Sequence, residues 1–106
     1  MAFIDTNTLP QREVVPGYRA RFLHGEGMTV AYWEVAAGAA LPEHAHVHEQ
    51  VAHVLSGEFQ MTVAGEPRVL TPGVVAHIPS GVRHSGRAVT DCLLLDVFHP
   101  VREDYR

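Results

Sequence analysis

Turns that contain glycine or proline divide the chain into short apolar runs. Residues 28–36, MTVAYWEVA, are rich in the β-branched and aromatic side chains that favour strands, and Ala37-Gly38 follows them directly. No stretch keeps the apolar repeat of an amphipathic helix. About nine short strands between residues 18 and 99 therefore predict an all-β antiparallel sandwich or barrel. Ser56-Gly57, between two of these strands, predicts a hairpin.

The 106 residues are enough for one hydrophobic core, and we expect a single domain over residues 1–106. Residues 1–16 contain two prolines and a polar middle, which predicts an extended N-terminal arm. The arm carries more apolar side chains than a small barrel can cover by itself: Phe3, Ile4, Leu9, Val14 and Val15. Because pairing with a second copy would bury them and cover a sheet edge, we expect the arm to lie at the interface of a homodimer.

Charge and cysteine content narrow the possible functions and the compartment. A net charge of −4 gives no reason to expect a nucleic acid or an anionic membrane as partner. The chain has no lysine, which excludes a Schiff-base mechanism. Its single cysteine, Cys92, lies in an apolar run and is expected to be buried, without an intrachain disulfide. With no secretory signal and no apolar run of about 18 residues, the cytoplasm is the expected compartment.

Residues 38–57, GAALPEHAHVHEQVAHVLSG, contain a dense group of side chains that can bind a metal ion. Within ten residues there are four histidines, a glutamate and a glutamine: His44, His46, His48, His53, Glu49 and Gln50. Imidazole nitrogens and side-chain carbonyl oxygens are common ligands of borderline divalent ions. A partner from a distant part of the chain would strengthen this interpretation, and residues 73–88 offer His84.

The spacing within these two stretches follows a known pattern. The first stretch reads G-x5-H-x-H-x3-Q-x6-G and the second reads G-x5-P-x-G-x2-H, with 15 residues between them. The patterns are filled by Gly38, His44, His46, Gln50 and Gly57, and by Gly73, Pro79, Gly81 and His84. This resembles the two-motif signature of the cupin family, with motif 1 at 38–57 and motif 2 at 73–88. The family's usual glutamate is Gln50 here, and the asparagine that often ends motif 2 is Ala88. The resemblance implies a single-domain cupin, a double-stranded β-helix or jelly-roll barrel.

The same residues predict a metal centre. Because alternate side chains of a strand share a face, His44 and His46 are expected to point into the barrel. Gln50 would join them from the neighbouring strand, and His84 from a distant one. Three imidazoles and one amide oxygen, with open positions, are typical of a catalytic site for one divalent ion, which could be Zn, Ni, Fe or Mn. The alternatives are a polar pocket without metal and a group of solvated loop histidines.

Gln50 in place of a glutamate has an electrostatic consequence. Three neutral imidazoles and a neutral amide leave the full charge of a divalent ion uncompensated. Such an ion is better suited to polarising a substrate oxygen as a Lewis acid than to reaching an oxidised state. This favours isomerase, lyase or cyclase chemistry over a dioxygenase.

The remaining histidines are assigned from their positions in the predicted strands. His48 falls in a bend and is a candidate for a group beside the pocket, and the adjacent Glu49 is a substitute ligand. His53 has the opposite parity to Gln50, so it is expected to face away from the metal. His77, two residues before Pro79, is expected to have a structural role.

The C-terminal run LLLDVFHPVREDY contains the other candidate functional residues. Asp96 is embedded among apolar residues, and a buried carboxylate needs a partner or a function. Phe98 has the same parity, so the two side chains are expected to line one face. Arg102 follows and can offer a bidentate fork to a carboxylate. The alternatives are a structural ion pair between Asp96 and Arg102, or an outer-face position for Asp96.

Several segments are similar to the small cupins of the KdgF type, which act in pectin and alginate degradation. These segments are HVHEQ, VLSGEFQMTVAGE, IPSGVRHSG and LDVFHPVREDY. The resemblance implies conversion of a 4,5-unsaturated monouronate towards its linear keto form. It also implies the following roles: His44, His46, Gln50 and His84 hold the metal, Asp96 moves a proton, Phe98 shapes the pocket and Arg102 binds the carboxylate of the sugar. Two alternatives are a metal cupin with another activity (cyclase, isomerase or oxygenase) and a non-catalytic cupin that binds a metal or a small molecule.

Overall fold

The computed structural model describes residues 2–106 and contains ten antiparallel strands in two sheets, with two short 3-10 turns. The turns are Thr6–Thr8 and Glu103–Tyr105. The strands are β1 (Arg12–Val15), β2 (Tyr18–His24), β3 (Thr29–Val35), β4 (Ala40–His44), β5 (Glu49–Ser56), β6 (Phe59–Val63), β7 (Glu66–Leu70), β8 (Val75–Ile78), β9 (His84–Ala88) and β10 (Cys92–His99). The predicted all-β class is therefore confirmed. Among the described residues, no helix is long and apolar enough to cross a membrane.

The two sheets face each other across one hydrophobic core. The larger has the order β1-β2-β3-β10-β5-β8 and the smaller has the order β4-β9-β6-β7. In β3 and β10 every second side chain is buried, because one face of the sheet is turned to the core. Tyr18 of the larger sheet packs edge-on against Phe59 of the smaller one, with ring centroids 6.5 Å apart. Cys92 is buried, as expected.

The N-terminal segment differs from the predicted extended arm, and it supplies the tenth strand. Residues 12–15 form β1, which pairs with β2 of the same chain, with Arg12 opposite Ala20. Pro16 and Gly17 allow this tight return, Gly17 having a φ of +82°. Two apolar residues of the segment, Val14 and Val15, pack on the chain's own core. Residue 1 of the predicted arm lies outside the described residues.

The first residues of this segment expose two apolar side chains to solvent. Phe3 is 91% exposed and Ile4 is 50% exposed. These two side chains are the part of the predicted arm that a second copy could still cover, and the homodimer stays a prediction.

The loop at Ser56-Gly57 does not make the predicted hairpin. The preceding strand β5 pairs with β10 and β8, whereas the following strand β6 pairs with β7 and β9. The loop therefore carries the chain from one sheet to the other. Gly57, with a φ of +87°, lies so close to the Asp91 carbonyl and to Thr90 Oγ1 that a Cβ atom has no room. Glycine is required here by packing as well as by conformation.

We expect Gly57→Ala to destabilise the protein more than Gly65→Ala does. Both glycines have positive φ, which costs an alanine about 1–2 kcal/mol, but a Cβ at Gly65 meets nothing within 4 Å. The collision at Gly57 adds overpacking of about 1–3 kcal/mol. Urea unfolding of the metal-free variants measures the difference. Equal losses of unfolding free energy would mean that the loop yields and that the close packing has no energetic weight.

Candidate functional site

Three histidines predicted to be metal ligands lie together between the two sheets. His44 ends β4 and is the register partner of His84 in β9, with ring centroids 4.2 Å apart. His46 lies just beyond β4, 4.9 Å from the His84 ring. One nitrogen from each ring falls within 4.8 Å of the other two. The structure thus brings together imidazoles that are up to 40 residues apart in the chain.

The backbone sets the orientation of all three rings. In each case Nδ1 lies at hydrogen-bonding distance from a carbonyl oxygen two residues away: Pro42 for His44 (2.9 Å), His48 for His46 (3.0 Å) and Val82 for His84 (2.9 Å). Because a carbonyl accepts, Nδ1 must carry the proton in each ring. Each Nε2 is then left with a free lone pair. Such outer hydrogen bonds commonly orient the imidazole ligands of metal ions.

Gln50 approaches the histidines from the opposite sheet. It lies in β5, and its Oε1 is 3.1 Å from Nε2 of His46. The sequence predicts that it comes from the neighbouring strand, which β5 is in chain order but not in the sheet. Residues 45–48 cross between the sheets, so the four ligand candidates come from both walls of the barrel. With Nδ1 of His46 protonated, Oε1 of Gln50 and Nε2 of His46 point lone pairs at each other. A cation bound between them would remove this repulsion.

Burial keeps two of the rings neutral. Burial, reinforced by the charge of Arg102 and by His84, lowers the pKa of His46 to about 4. Burial also lowers the pKa of His84, whose Nε2 has no hydrogen-bond partner within residues 2–106. A buried polar atom without a partner is costly. Neutral imidazoles with unused lone pairs are what a divalent metal requires, so the donor set fits one.

Asp96 is buried in the middle of β10 and faces the barrel interior. Its register partners on the two sides are Ala31 and Ala52, whose small side chains leave space around the carboxylate. Burial raises the pKa of Asp96 to about 7, opposed by the Gln50 amide, the Trp33 indole and the charge of Arg102. The Trp33 N–H is near enough to act on this pKa but does not reach hydrogen-bond geometry with a partner in residues 2–106. Gln50 therefore lies next to both Asp96 and His46, and connects the carboxylate to the candidate metal ligands.

Arg102 is buried beside the same space, but its partner is not Asp96. It is 7% exposed and forms a bidentate ion pair with Asp104. The alternative of an Asp96–Arg102 ion pair is therefore wrong, as is the alternative of an outer-face Asp96. Phe98, buried on the same face as Asp96, stacks under the guanidinium with Cζ 4.8 Å from the ring centroid.

A cavity of about 140 Å³ connects these groups. Its polar wall contains His44, His46, Gln50, His84, Asp96 and Arg102, and the exposed residue His53 also contributes to the lining. Its apolar wall includes Val14, Val15, Tyr18, Trp33, Leu41, Phe59, Met61, Leu70, Leu94, Phe98 and Tyr105. A small apolar chamber with a few convergent polar groups is typical of a site for a small molecule.

The other candidate residues lie at the edge of the site or outside it. Glu49 is exposed and pairs with His77 across 2.6 Å, so Glu49 is not a substitute ligand in this structure. His53 is exposed, in agreement with its parity. His48 is half-buried, 5.5 Å from the His46 ring, and its Nδ1 has no partner within residues 2–106. His48 thus lies beside the three histidines, and its role stays open.

Three residues that sequence reasoning missed also belong to the site. Trp33 and Tyr105 line the cavity, and Asp104 holds Arg102. Trp33 lies in β3, and the alternation of side chains in that strand could have predicted that Trp33 faces the core. Asp104 stands two residues after Arg102, a spacing that could have indicated a local ion pair. Tyr105 gave no signal, because it follows the last strand.

A jelly-roll barrel with a histidine-rich site between its sheets is the arrangement of a cupin. The model of the Cupin domain family matches residues 31–98, and the chain belongs to this family. It is also 28% identical to "Pectin degradation protein KdgF" of Dickeya dadantii (strain 3937). That similarity covers 97% of this chain and 96% of the relative.

Two solved structures are very similar in fold along the whole chain. KdgF from Halomonas sp. superimposes with a TM-score of 0.93 at 28% identity, covering 100% of this chain and 99% of the other. An RmlC-like cupin from Shewanella frigidimarina NCIMB 400 gives a TM-score of 0.93 at 30% identity, covering 100% and 96%. The resemblance to KdgF-type cupins predicted from the sequence is confirmed.

Proposed function

We propose that this cupin is a metal-dependent enzyme that converts a 4,5-unsaturated monouronate towards its linear keto form. The observation that carries the proposal is the cavity itself. It combines the neutral donors of His44, His46 and His84 with a buried carboxylate, Asp96, and a buried cation, Arg102. The KdgF relatives, one of them described as a pectin degradation protein, support an acidic sugar as the substrate.

The metal would be held by the three Nε2 atoms and by Oε1 of Gln50. When bound there, a divalent ion supplies Lewis-acid polarisation of a substrate oxygen. The chain's own part is to present four neutral donors without a charged ligand, and to exclude bulk water by the apolar walls of the cavity.

Asp96 is assigned the proton transfers. Opening the sugar ring breaks the bond between C1 and the ring oxygen, and the C1 hydroxyl loses its proton as C1 becomes a carbonyl. The bonding electrons pass to the ring oxygen, and the resulting enolate at C5 becomes a ketone when C4 gains the proton. The reaction is therefore an isomerisation that consumes no other reactant. A cavity-facing carboxylate can accept the first proton and donate the second.

Arg102 is assigned the carboxylate of the sugar, and Phe98 supports it. The guanidinium is a planar fork of donors that suits a carboxylate. Phe98 packs against its face and also lies 5.8 Å from the His46 ring, so it shapes the space between the cation and the metal ligands. The inward position of Asp96 favours a catalytic cupin over one that only binds a ligand, because a binding site has no need of a buried carboxylate beside the donor set.

The proposal is tested by following 4,5-unsaturated galacturonate through its conjugated ultraviolet absorbance. We expect protein reconstituted with Zn, Ni, Fe or Mn to remove this absorbance faster than buffer does, with at least one of the four ions active. Treatment with a chelator should return the rate to that of buffer. If no reconstituted form exceeds buffer, the uronate assignment is wrong. Oxygen consumption with a candidate substrate would instead favour the oxygenase alternative.

A further inference from the structure

The guanidinium of Arg102 is held along one edge by Asp104. Nε donates to Oδ1 over 3.0 Å and Nη2 donates to Oδ2 over 2.7 Å, a bidentate pair. The Arg102 side chain is 9% exposed, whereas that of Asp104 is 56% exposed. The carboxylate therefore closes the pair from the solvent side, and the arginine lies inside the barrel mouth.

Two aromatic rings, inclined at 73° to each other, pack against the same group. Cζ of Arg102 lies 4.8 Å from the centroid of Phe98 and 4.1 Å from that of Tyr105. Stacked arginines of this kind gain cation–π energy and lose rotational freedom. The guanidinium is thus held along one edge by Asp104 and packed on two adjacent sides by the rings.

The segment that carries Asp104 is itself anchored at both ends. The backbone N–H of Arg102 donates to Oγ1 of the fully buried Thr29 over 2.9 Å. At the other end, Nη2 of Arg12 donates to the carbonyl of Tyr105 over 2.7 Å. The Tyr105 ring also stacks on Phe22, with centroids 4.6 Å apart. The backbone that carries Asp104 is therefore held in place by these contacts.

One edge of the guanidinium stays available. Asp104 uses Nε and one N–H of Nη2, which leaves Nη1 and the second N–H of Nη2 on the remaining edge. No carboxylate of residues 2–106 other than Asp104 pairs with the guanidinium, and the Tyr105 hydroxyl lies near enough to influence its pKa. Arg102 lines the cavity, so this edge can form a second fork with a carboxylate inside it.

The charges of the pair are consistent with this arrangement. Burial alone would lower the pKa of Arg102, but the hydrogen bonds to Asp104, together with the charge of Asp104 and the neighbouring Tyr105 side chain, raise it overall. The hydrogen bond from Arg102 lowers the pKa of Asp104. Both groups therefore stay ionised, and Arg102 keeps its charge despite its burial.

We propose that Asp104 is a positioning residue that turns the free edge of Arg102 into the cavity and thereby selects ligands carrying a carboxylate. The proposal rests on the uronate chemistry proposed above, and it assigns to Asp104 no contact with substrate. An exposed acid that served stability alone would change the unfolding free energy but not the preference for acidic ligands.

The test compares Asp104→Asn, Asp104→Ala and Asp104→Glu with the control Glu103→Gln. Glu103 is the adjacent acid, and it pairs with Arg106. KM and kcat are measured on 4,5-unsaturated galacturonate, with metal content checked in each variant. We expect KM to rise about tenfold or more in Asp104→Asn and Asp104→Ala, with kcat within about threefold of wild type. Asp104→Glu should recover part of the loss, and Glu103→Gln should match wild type.

A binding measurement separates this proposal from the proposed reaction. Calorimetry with D-galacturonate and with D-galactose compares the same sugar with and without a carboxylate. We expect wild type to prefer galacturonate, and Asp104→Asn, which keeps the shape of the side chain, to lose that preference. This result would support the positioning role even if unsaturated galacturonate is not turned over. An unchanged KM and preference in Asp104→Asn, a loss of kcat alone, or no preference in wild type would overturn it.

Discussion

Asp96→Asn is expected to lower kcat on 4,5-unsaturated galacturonate by about 10²–10⁴-fold, the usual contribution of a general acid–base group. Asparagine keeps the shape and the polar contact with Gln50 but can neither accept nor deliver the proton. Steady-state kinetics of the two metal-loaded proteins at neutral pH measures the loss, and metal content should be unchanged. A variant within threefold of wild type would show that Asp96 does not move the proton.

The unfolding free energy of Asp96→Asn serves as a control for its expected loss of activity. The pKa of Asp96 is about 7 in the folded protein, against an ordinary value of 3.8. A folded-state pKa raised above the unfolded value means that the fold prefers the protonated acid. Stability is then lost progressively as pH rises from about 4 to 7, with a maximum cost of about 4 kcal/mol at 1.36 kcal/mol per unit.

Metal-free Asp96→Asn should therefore be more stable than metal-free wild type at pH 8, and about equally stable at pH 4. Chemical unfolding at the two pH values measures this difference. An Asn variant that is less stable at pH 8 would mean that its lost activity reflects damage to the fold. The combination of lower activity and higher stability is characteristic of a group kept for function.

His84→Ala is expected to weaken metal binding by more than about 100-fold, because removing groups that only orient ligands already costs about 10–100-fold. The buried Nε2 of His84 has no hydrogen-bond partner within residues 2–106. Removing this nitrogen therefore costs a metal ligand but breaks no hydrogen bond to Nε2. Competition with a chromophoric chelator measures the affinity.

His53→Ala is the matched control for this substitution. His53 belongs to the same histidine-rich stretch but is exposed on the outer side of β5. We expect its affinity for metal to equal that of wild type. Equal weakening in both variants, or none in His84→Ala, would contradict the assignment of the ligands.

Most of the strands could be predicted from the sequence, because alternation and turn residues are local signals. Two features of the fold differ from the prediction. Pro10 and Pro16 concealed β1, whose pairing with β2 depends on the turn at Gly17. The Ser56-Gly57 loop has the residues of a hairpin, yet it joins different sheets. Alternation indicates which face of a strand is buried, but it does not indicate in which sheet that strand lies.

The candidate site shows the same division. Motif spacing predicted His44, His46, Gln50 and His84 as ligands, and parity predicted that Asp96 and Phe98 share one face. The origin of Gln50 in the opposite sheet could not be predicted, since it depends on where the chain crosses between sheets. The partner of Arg102 was also missed, because Asp104 lies after the last strand, where periodicity carries no information.

Proton nuclear magnetic resonance in D₂O gives the most direct test of a metal-dependent cupin that moves a proton on an unsaturated uronate. The vinyl proton at C4 of 4,5-unsaturated galacturonate is followed with and without the metal-loaded protein. We predict faster loss of this signal with protein, and a keto product that carries one deuterium at C4 with a single configuration, because Asp96 delivers it from one side. Loss of the signal at the rate of buffer alone would contradict the account.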